Sequence, residues 1–187
     1  FDSVWEVLKA GYPARKLVVI GVTGTDGKTT TCHLIYAMLK KAGIKVALLS
    51  TVAGYIGGEE LNTGFHVTTP DAKFLQPFIK KVVGAGMTHL VLEVTSHALD
   101  QFRFWGIKFK VGIITNITHE HLDYHQTFED YTNTKFKLIK SSKYAVVNQN
   151  ILDSTKSRVI SFGLSRGDFN QKKYKLKLKI PGDYNVE

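Results

Sequence analysis

Apolar positions along the chain follow two alternating rhythms. Short, unbroken apolar runs rich in β-branched residues occupy positions 16–22, 45–49, 88–94, 111–115 and 144–147, and each predicts a buried strand. Between them the spacing widens to a helical period. Residues 28–42 place Leu34, Ile35, Met38 and Leu39 three and four apart, and Gly43 supplies the C-terminal cap. Thr69 and Pro70 predict the next helix start, with threonine as N-cap and proline in the first helical position. Phe74, Leu75, Phe78, Ile79 and Val82 then form its apolar face. Residues 128–139 predict a third helix that turns Tyr131, Phe136 and Ile139 toward the core. Strands separated by helices of this length imply an α/β fold, a mostly parallel sheet flanked by helices. The last thirty residues form a short β-rich segment: a strand at 158–163, then strict alternation over 174–180. The lysines of that alternating run read as a solvated edge that discourages pairing with other chains.

Composition narrows the class. At 187 residues, 43% hydrophobic and 22% charged, with four prolines, the chain is neither disordered nor collagen-like. No apolar run reaches the eighteen or so residues of a membrane span. Phe1 is not a methionine and no basic leader or apolar signal core follows it, so an excerpt of a longer protein is expected. The single cysteine, Cys32, cannot form an internal disulfide, which fits a reducing compartment. The net charge of +9 favours anionic partners of any kind, nucleic acid included. Only four basic residues are arginine (Arg15, Arg103, Arg158 and Arg166), whereas direct base readout leans on arginine forks. Most of the lysines read as soluble surface.

The strongest chemical signal runs from Gly21 to Thr31, Gly-Val-Thr-Gly-Thr-Asp-Gly-Lys-Thr-Thr-Thr. It leaves a buried strand and opens a helix, the setting of a phosphate-binding loop. Glycines admit a phosphate close to the backbone, and the helix start directs free N–H groups at it. Lys28 would reach the β- and γ-phosphates and the Thr29 hydroxyl would ligate Mg²⁺. Position 22 is valine, so the match is to the shorter Gly-x-x-Gly-Lys-Thr form.

Further segments follow the carboxyl ends of strands, where open α/β sheets bind ligands. Glu93 ends the third strand and would hold Mg²⁺ across from Thr29. After the fourth strand comes Asn116-Ile117-Thr118-His119-Glu120-His121-Leu122-Asp123-Tyr124-His125. Its histidines and carboxylates suggest a metal, but no cysteine accompanies them and His-x-Glu-x-x-His spacing is absent. One histidine on a second magnesium ion is the reading that remains.

Together these motifs resemble the central ATP-binding domain of the Mur ligase family. The resemblance is carried by Gly24 to Thr30, by Glu93-Val94-Thr95-Ser96-His97-Ala98-Leu99-Asp100-Gln101, and by Thr115-Asn116-Ile117-Thr118 with His121-Leu122-Asp123-Tyr124-His125. Thr68-Thr69-Pro70-Asp71 and the spacing from Ser96 to Arg103 narrow it to the UDP-N-acetylmuramoyl-tripeptide synthetase type.

The resemblance implies an ATP-dependent amide ligase of bacterial peptidoglycan-precursor synthesis. Such an enzyme joins UDP-N-acetylmuramoyl-L-alanyl-D-glutamate to a diamino acid through an acyl phosphate. Gly24, Thr25, Asp26, Gly27, Lys28, Thr29, Thr30 and Asn116 would bind the nucleotide. Thr29 and Glu93 would hold one Mg²⁺, and Glu93 and His121 a second. Lys135 matches the family's carbamylated lysine, a modification that turns a cation into a carboxylate-like anion able to aid metal binding. Thr68, Thr69, Thr95, Gln101 and Arg103 match the positions for the muramoyl-dipeptide substrate.

By the same resemblance, residues 1–15 lead in from a substrate domain, 16–180 form the central domain and 181–187 begin the junction to a C-terminal domain. A cytoplasmic monomer without nucleic-acid or membrane partners is expected, with weak activity as an isolated piece. Three departures stand out. Asp26 occupies a usual asparagine position and adds negative charge beside the phosphates, Thr95 replaces a serine, and the stretch after Asn148 is short. Alternatives from other classes are a folylpolyglutamate-synthase-like ligase, a non-catalytic nucleotide module and a nucleic-acid binder. The guanine-specifying Asn-Lys-x-Asp segment of a GTP switch is missing from the sequence.

Overall fold

A computed structural model describes residues 2–61, 70–118, 124–151, 159–163, 166–170 and 173. Five of the expected strands form close to their expected positions: β1 (Val18–Thr23), β2 (Val46–Leu49), β5 (His89–Glu93), β6 (Phe109–Ile114) and β7 (Tyr144–Asn148). Between β2 and β5 the chain adds a hairpin, β3 (Gly54–Ile56) and β4 (Glu59–Leu61). Beyond β7 lie β8 (Val159–Gly163) and the short β9 (Phe169–Asn170). Among the described residues these make one sheet in the order β4-β3-β2-β5-β1-β6-β7-β8-β9. Only the hairpin runs antiparallel, β3 against β2 and β4 against β3. The alternating run at 174–180 lies outside the described residues.

The helices are α1 (Asp2–Ala10), α2 (Lys28–Lys41), α3 (Ala72–Gly84), α4 (Ser96–Asp100) and α5 (Phe128–Ser141). They cover both faces of the sheet, and the strands divide their residues between those faces with period two. Val19, Leu90 and Leu92 join Leu75, Phe78, Ile79 and Val82 of α3 in one cluster. Ile20, Val22, Leu48 and Val91 join Cys32 and Tyr36 of α2 in another. Each fully buried aliphatic or aromatic side chain contributes roughly 1.5–3 kcal/mol. Gly21 faces Phe109 and Leu138 at a crowded crossing: a Cβ there would lie 2.7 Å from the Phe109 ring and 2.9 Å from Leu138.

Two helix expectations are corrected. In α2 the buried residues are Cys32 and Tyr36, with Ile35 and Leu39 packed beside them. Leu34 and Met38 face outward because Cys32 and Tyr36, one turn apart, take the sheet-facing row. The helix expected from Thr69 and Pro70 starts at Ala72 with Asp71 as its N-cap residue. The Asp71 carbonyl accepts from the amides of Phe74 and Leu75, while its carboxylate makes no cap bond and pairs instead with Arg103 at 3.2 Å. Thr69 lies outside the described residues. Helix α1 packs on α3.

Register then sets the working edge. Val22 pairs with Glu93, and Thr23 with Ile114, so the carboxyl ends of β1, β5 and β6 come out side by side. Alternation puts Glu93, two residues after Val91, on the α2 face.

Candidate functional site

The loop between β1 and α2 is shaped by two glycines. Gly27 sits at φ 73°, a left-handed conformation that favours glycine, and is the residue from which α2 starts. Gly24 has no room for a Cβ, which would run into the Thr115 hydroxyl. The first intrahelical bond, Thr31 N–H to the Gly27 carbonyl at 2.9 Å, leaves the amides of Lys28, Thr29 and Thr30 directed out of the helix start. A turn of free amides at the positive end of a 14-residue helix is an anion site.

The loop is held from behind by the segment after β6. The Asn116 amide oxygen accepts from Thr25 N–H at 3.1 Å and Asp26 N–H at 2.8 Å, and its Nδ2 donates to the Asp26 carbonyl at 3.3 Å. Thr115 Oγ1 donates to that same carbonyl at 2.7 Å. Thr25 is buried and its hydroxyl accepts from Thr118 N–H at 2.9 Å. Asn116 therefore lies behind the loop as its brace. The Asp26 side chain is exposed. Lys28 Nζ donates to the Thr25 carbonyl at 2.6 Å, at the mouth of the loop.

Helix α5 adds a second brace, whose Tyr131 sequence reasoning registered only as core. Tyr131 is fully buried, and its hydroxyl lies 3.2 Å from Thr25 Oγ1. One turn later Lys135, 2% exposed, donates to the Gly24 carbonyl at 2.7 Å, with Nζ 4.4 Å from the centre of the Tyr131 ring. A lysine on a helix is ordinarily solvated, yet this one is among the largest fully buried side chains.

Glu93 is the charged centre, 3% exposed at the end of β5. Thr29 Oγ1 stands 3.0 Å from both of its oxygens. From the other side Thr51 donates its N–H to Oε2 at 2.9 Å and its hydroxyl to Oε1 at 2.8 Å. A buried carboxylate needs such donors to offset its lost hydration. Thr51 was not expected from the sequence, although its place just beyond the end of β2 is a position where open sheets bind ligands. Glu93 and the Thr29 hydroxyl form a hard-oxygen donor pair beside a phosphate loop, which suits Mg²⁺. No group of three His, Cys, Asp or Glu residues able to hold a metal is present among the described residues. A magnesium ion carried on phosphates does not require one, since few of its ligands come from protein. Cys32 is fully buried next to this centre, and burial, with Glu93 adding to it, pushes its thiol pKa up, leaving it protonated.

A third group surrounds α4. Thr95 is its N-cap and accepts from Ala98 N–H at 3.2 Å. The Gln101 amide oxygen accepts from Arg103 Nε at 2.9 Å and Nη2 at 2.7 Å, and Arg103 also pairs with Asp71. Gln101 Nε2 donates to the Tyr124 hydroxyl at 3.3 Å. Tyr124 lies against His97 with ring centres 4.1 Å apart, and the buried His125 sits among His97, Tyr124 and Tyr131 at 5.7, 4.8 and 5.3 Å. Of the histidine-rich segment, His119 and His121 lie outside the described residues, as do Thr68 and Thr69. The structure thus brings Gly24, Lys28, Thr29, Glu93, Asn116 and Lys135 together, and places Gln101 and Arg103 on an exposed turn beside them.

Comparison with known proteins gives one family: the profile of the Mur ligase middle domain matches residues 22–187. A curated relative, the UDP-N-acetylmuramoyl-L-alanyl-D-glutamate–2,6-diaminopimelate ligase of Clostridium perfringens, is 38% identical over 205 residues. The match covers 94% of this chain and 42% of that protein. A solved structure of a ligase of the same name superposes with a TM-score of 0.70 at 29% identity, over 80% of this chain and 32% of that one. The bifunctional folylpolyglutamate synthase/dihydrofolate synthase of Yersinia pestis, solved with AMPPNP and a manganese ion, shares the fold, with a TM-score of 0.61 at 19% identity over 88% of this chain and 47% of that one. The chain spans about two-fifths of the length of the curated relative.

Proposed function

The chain belongs to the Mur ligase family, whose middle domain it matches over most of its length, and on that premise we propose that it is the ATP- and metal-binding core of an amide ligase of peptidoglycan-precursor synthesis. The carrying observation is Glu93, a buried carboxylate clamped between Thr29 of the phosphate-loop helix and Thr51. The substrates we assign are UDP-N-acetylmuramoyl-L-alanyl-D-glutamate and a diamino acid. The ligases named above support this choice. A fold relative solved with AMPPNP and manganese supports ATP with a divalent metal.

In this reading the amides at the start of α2 and the Lys28 ammonium hold the β- and γ-phosphates. A substrate carboxylate oxygen attacks the γ-phosphorus, the bond to the β–γ bridging oxygen breaks, and ADP leaves. The amine of the incoming amino acid then attacks the acyl carbon, phosphate departs and the amine gives up a proton. Positioning and charge neutralisation carry most of such a transfer. Thr29 and Glu93 would hold one Mg²⁺, and Glu93 with His121 a second. Bound there, magnesium supplies neutralisation of charge developing on the phosphoryl oxygens. Asn116, Thr115, Tyr131 and Lys135 keep the loop in shape, and Lys135 is also the residue assigned to carbamylation. Thr68, Thr69, Thr95, Gln101 and Arg103 are assigned to the muramoyl-dipeptide.

Residues 16–180 are taken as the central domain, with 1–15 leading in from a substrate-binding domain and 181–187 leading out to a C-terminal one. Full ligation is therefore assigned to the chain joined to those domains. The test is phosphate release by the full-length protein with ATP, Mg²⁺ and diaminopimelate. Release that depends on UDP-N-acetylmuramoyl-L-alanyl-D-glutamate is expected; release driven instead by dihydropteroate or a folate would assign the chain to the folylpolyglutamate branch.

A further inference from the structure

We propose that His33 is a positioning residue for the metal centre, acting through Ser50 and Thr51 on Glu93. Thr29 and His33 lie one turn apart on the same side of α2. Thr29 meets Glu93 directly. His33 instead reaches the segment after β2, with Nε2 3.1 Å from Ser50 Oγ and its ring edge-on to Tyr55, centres 6.0 Å apart at 87°.

The hydrogen-bond inventory of Ser50 fixes what His33 does. Ser50 is 4% exposed, and its hydroxyl carries one proton. We assign that proton to the Ala53 carbonyl, 3.0 Å away. The Ser50 oxygen then accepts from its other two neighbours, Ala53 N–H at 3.3 Å and His33 Nε2 at 3.1 Å. His33 is therefore protonated on Nε2 and acts as the donor, a tautomer assigned from the network. Ser50 N–H closes the same turn on the Ala53 carbonyl at 3.0 Å.

Thr51 sits inside that turn. Its N–H and hydroxyl engage different oxygens of Glu93, so together they fix the plane of the carboxylate. Helix α2 consequently grips Glu93 twice, directly through Thr29 and at one remove through His33, Ser50 and Thr51. Partners that orient a metal ligand set its affinity as much as the ligand itself does. Without the His33 donor the turn loosens, Thr51 tilts and Glu93 loses its fixed orientation. The phosphate contacts of Lys28 and the α2 amides are left in place.

The metal part of this inference rests on the nucleotide reading above; the coupling between His33 and Thr51 does not. Two measurements on this chain separate them. Amide hydrogen exchange without ligand should show Thr51 losing protection about tenfold in His33→Ala and keeping it in His33→Gln, whose amide also donates. Calorimetric titration with ATP, with and without Mg²⁺, should show His33→Ala weakening the Mg²⁺-dependent binding about tenfold. Metal-free ATP binding should stay as in the wild type, and His33→Gln should restore most of the loss. Ser50→Ala should reproduce His33→Ala, and the double variant should add little. Unchanged exchange at Thr51, or equal loss of ATP binding with and without metal, would overturn the proposal. A wild type whose ATP binding ignores Mg²⁺ would overturn the nucleotide reading itself and the metal part with it.

Discussion

The phosphate loop and the α4 turn stand side by side and are held in opposite ways. Around the loop, Thr25, Glu93, Tyr131 and Lys135 are all buried, and each bonds to a partner far away in sequence. Around the turn, Gln101 is exposed, and in the Arg103–Asp71 pair the side chains are 23% and 76% exposed. A small, dense anion with a metal ion demands fixed donors, and buried hydrogen bonds supply that rigidity. A large substrate arriving from solvent needs groups that can exchange their partners at low cost. A pair whose carboxylate stands in solvent is worth little individually.

The contrast is broken most forcefully at Tyr131. Tyr131→Ala should cost about 3–5 kcal/mol of unfolding free energy in a denaturant titration, as large aromatic truncations do. If it costs no more than a surface substitution, α5 does not brace the loop. Glu93→Gln comes next. It should reduce Mg²⁺-dependent ATP affinity about 100-fold in calorimetry, since the ligand itself is altered and Thr51 faces an amide. Arg103→Ala should lower stability by only about 1 kcal/mol, because the Asp71 carboxylate it pairs with is solvated. With the full-length protein the same change should raise KM for the muramoyl-dipeptide and leave that for ATP alone. A matching rise in both would erase the division between the two regions.

The smallest effect concerns pH. A hydrogen bond from Lys137 holds the Asp100 carboxyl below its usual range, with Tyr124 adding to it. A carboxyl depressed in the folded state adds stability above its unfolded pKa and loses it as pH falls through the folded value. Lys137→Met should therefore melt slightly earlier than the wild type near neutrality. The two melting curves should converge in acid, below the ordinary carboxylate range. A difference that persists there would point to lost packing on Phe102, over whose ring the Lys137 ammonium lies at 5.7 Å.

How much of this was legible in the sequence follows the same division. The alternation of strands and helices, the loop from Gly24 to Thr30, and Glu93 at a strand end are all local patterns. Their chemistry is written in consecutive residues. Thr51, His33 and Tyr131 have no such pattern. Thr51 matters only because β2 and β5 are neighbours in register, Leu49 beside Leu92. Tyr131 reads as an ordinary core aromatic until its hydroxyl is seen against Thr25. Lys135 shows the reverse case, a solvated lysine by composition that the fold buries completely. The late start of α3 has a similar origin, since Asp71 is drawn to Arg103, thirty-two positions away in sequence, instead of capping its own helix.

The central claim is that the loop and Glu93 form one metal-dependent nucleotide site. The most direct test is a calorimetric titration of ATP into this chain, with Mg²⁺ and with excess chelator, for the wild type and Lys28→Ala. Binding that Mg²⁺ strengthens and that disappears in Lys28→Ala is the expected result. Binding that is indifferent to both the metal and Lys28, or absent from the wild type, would contradict it.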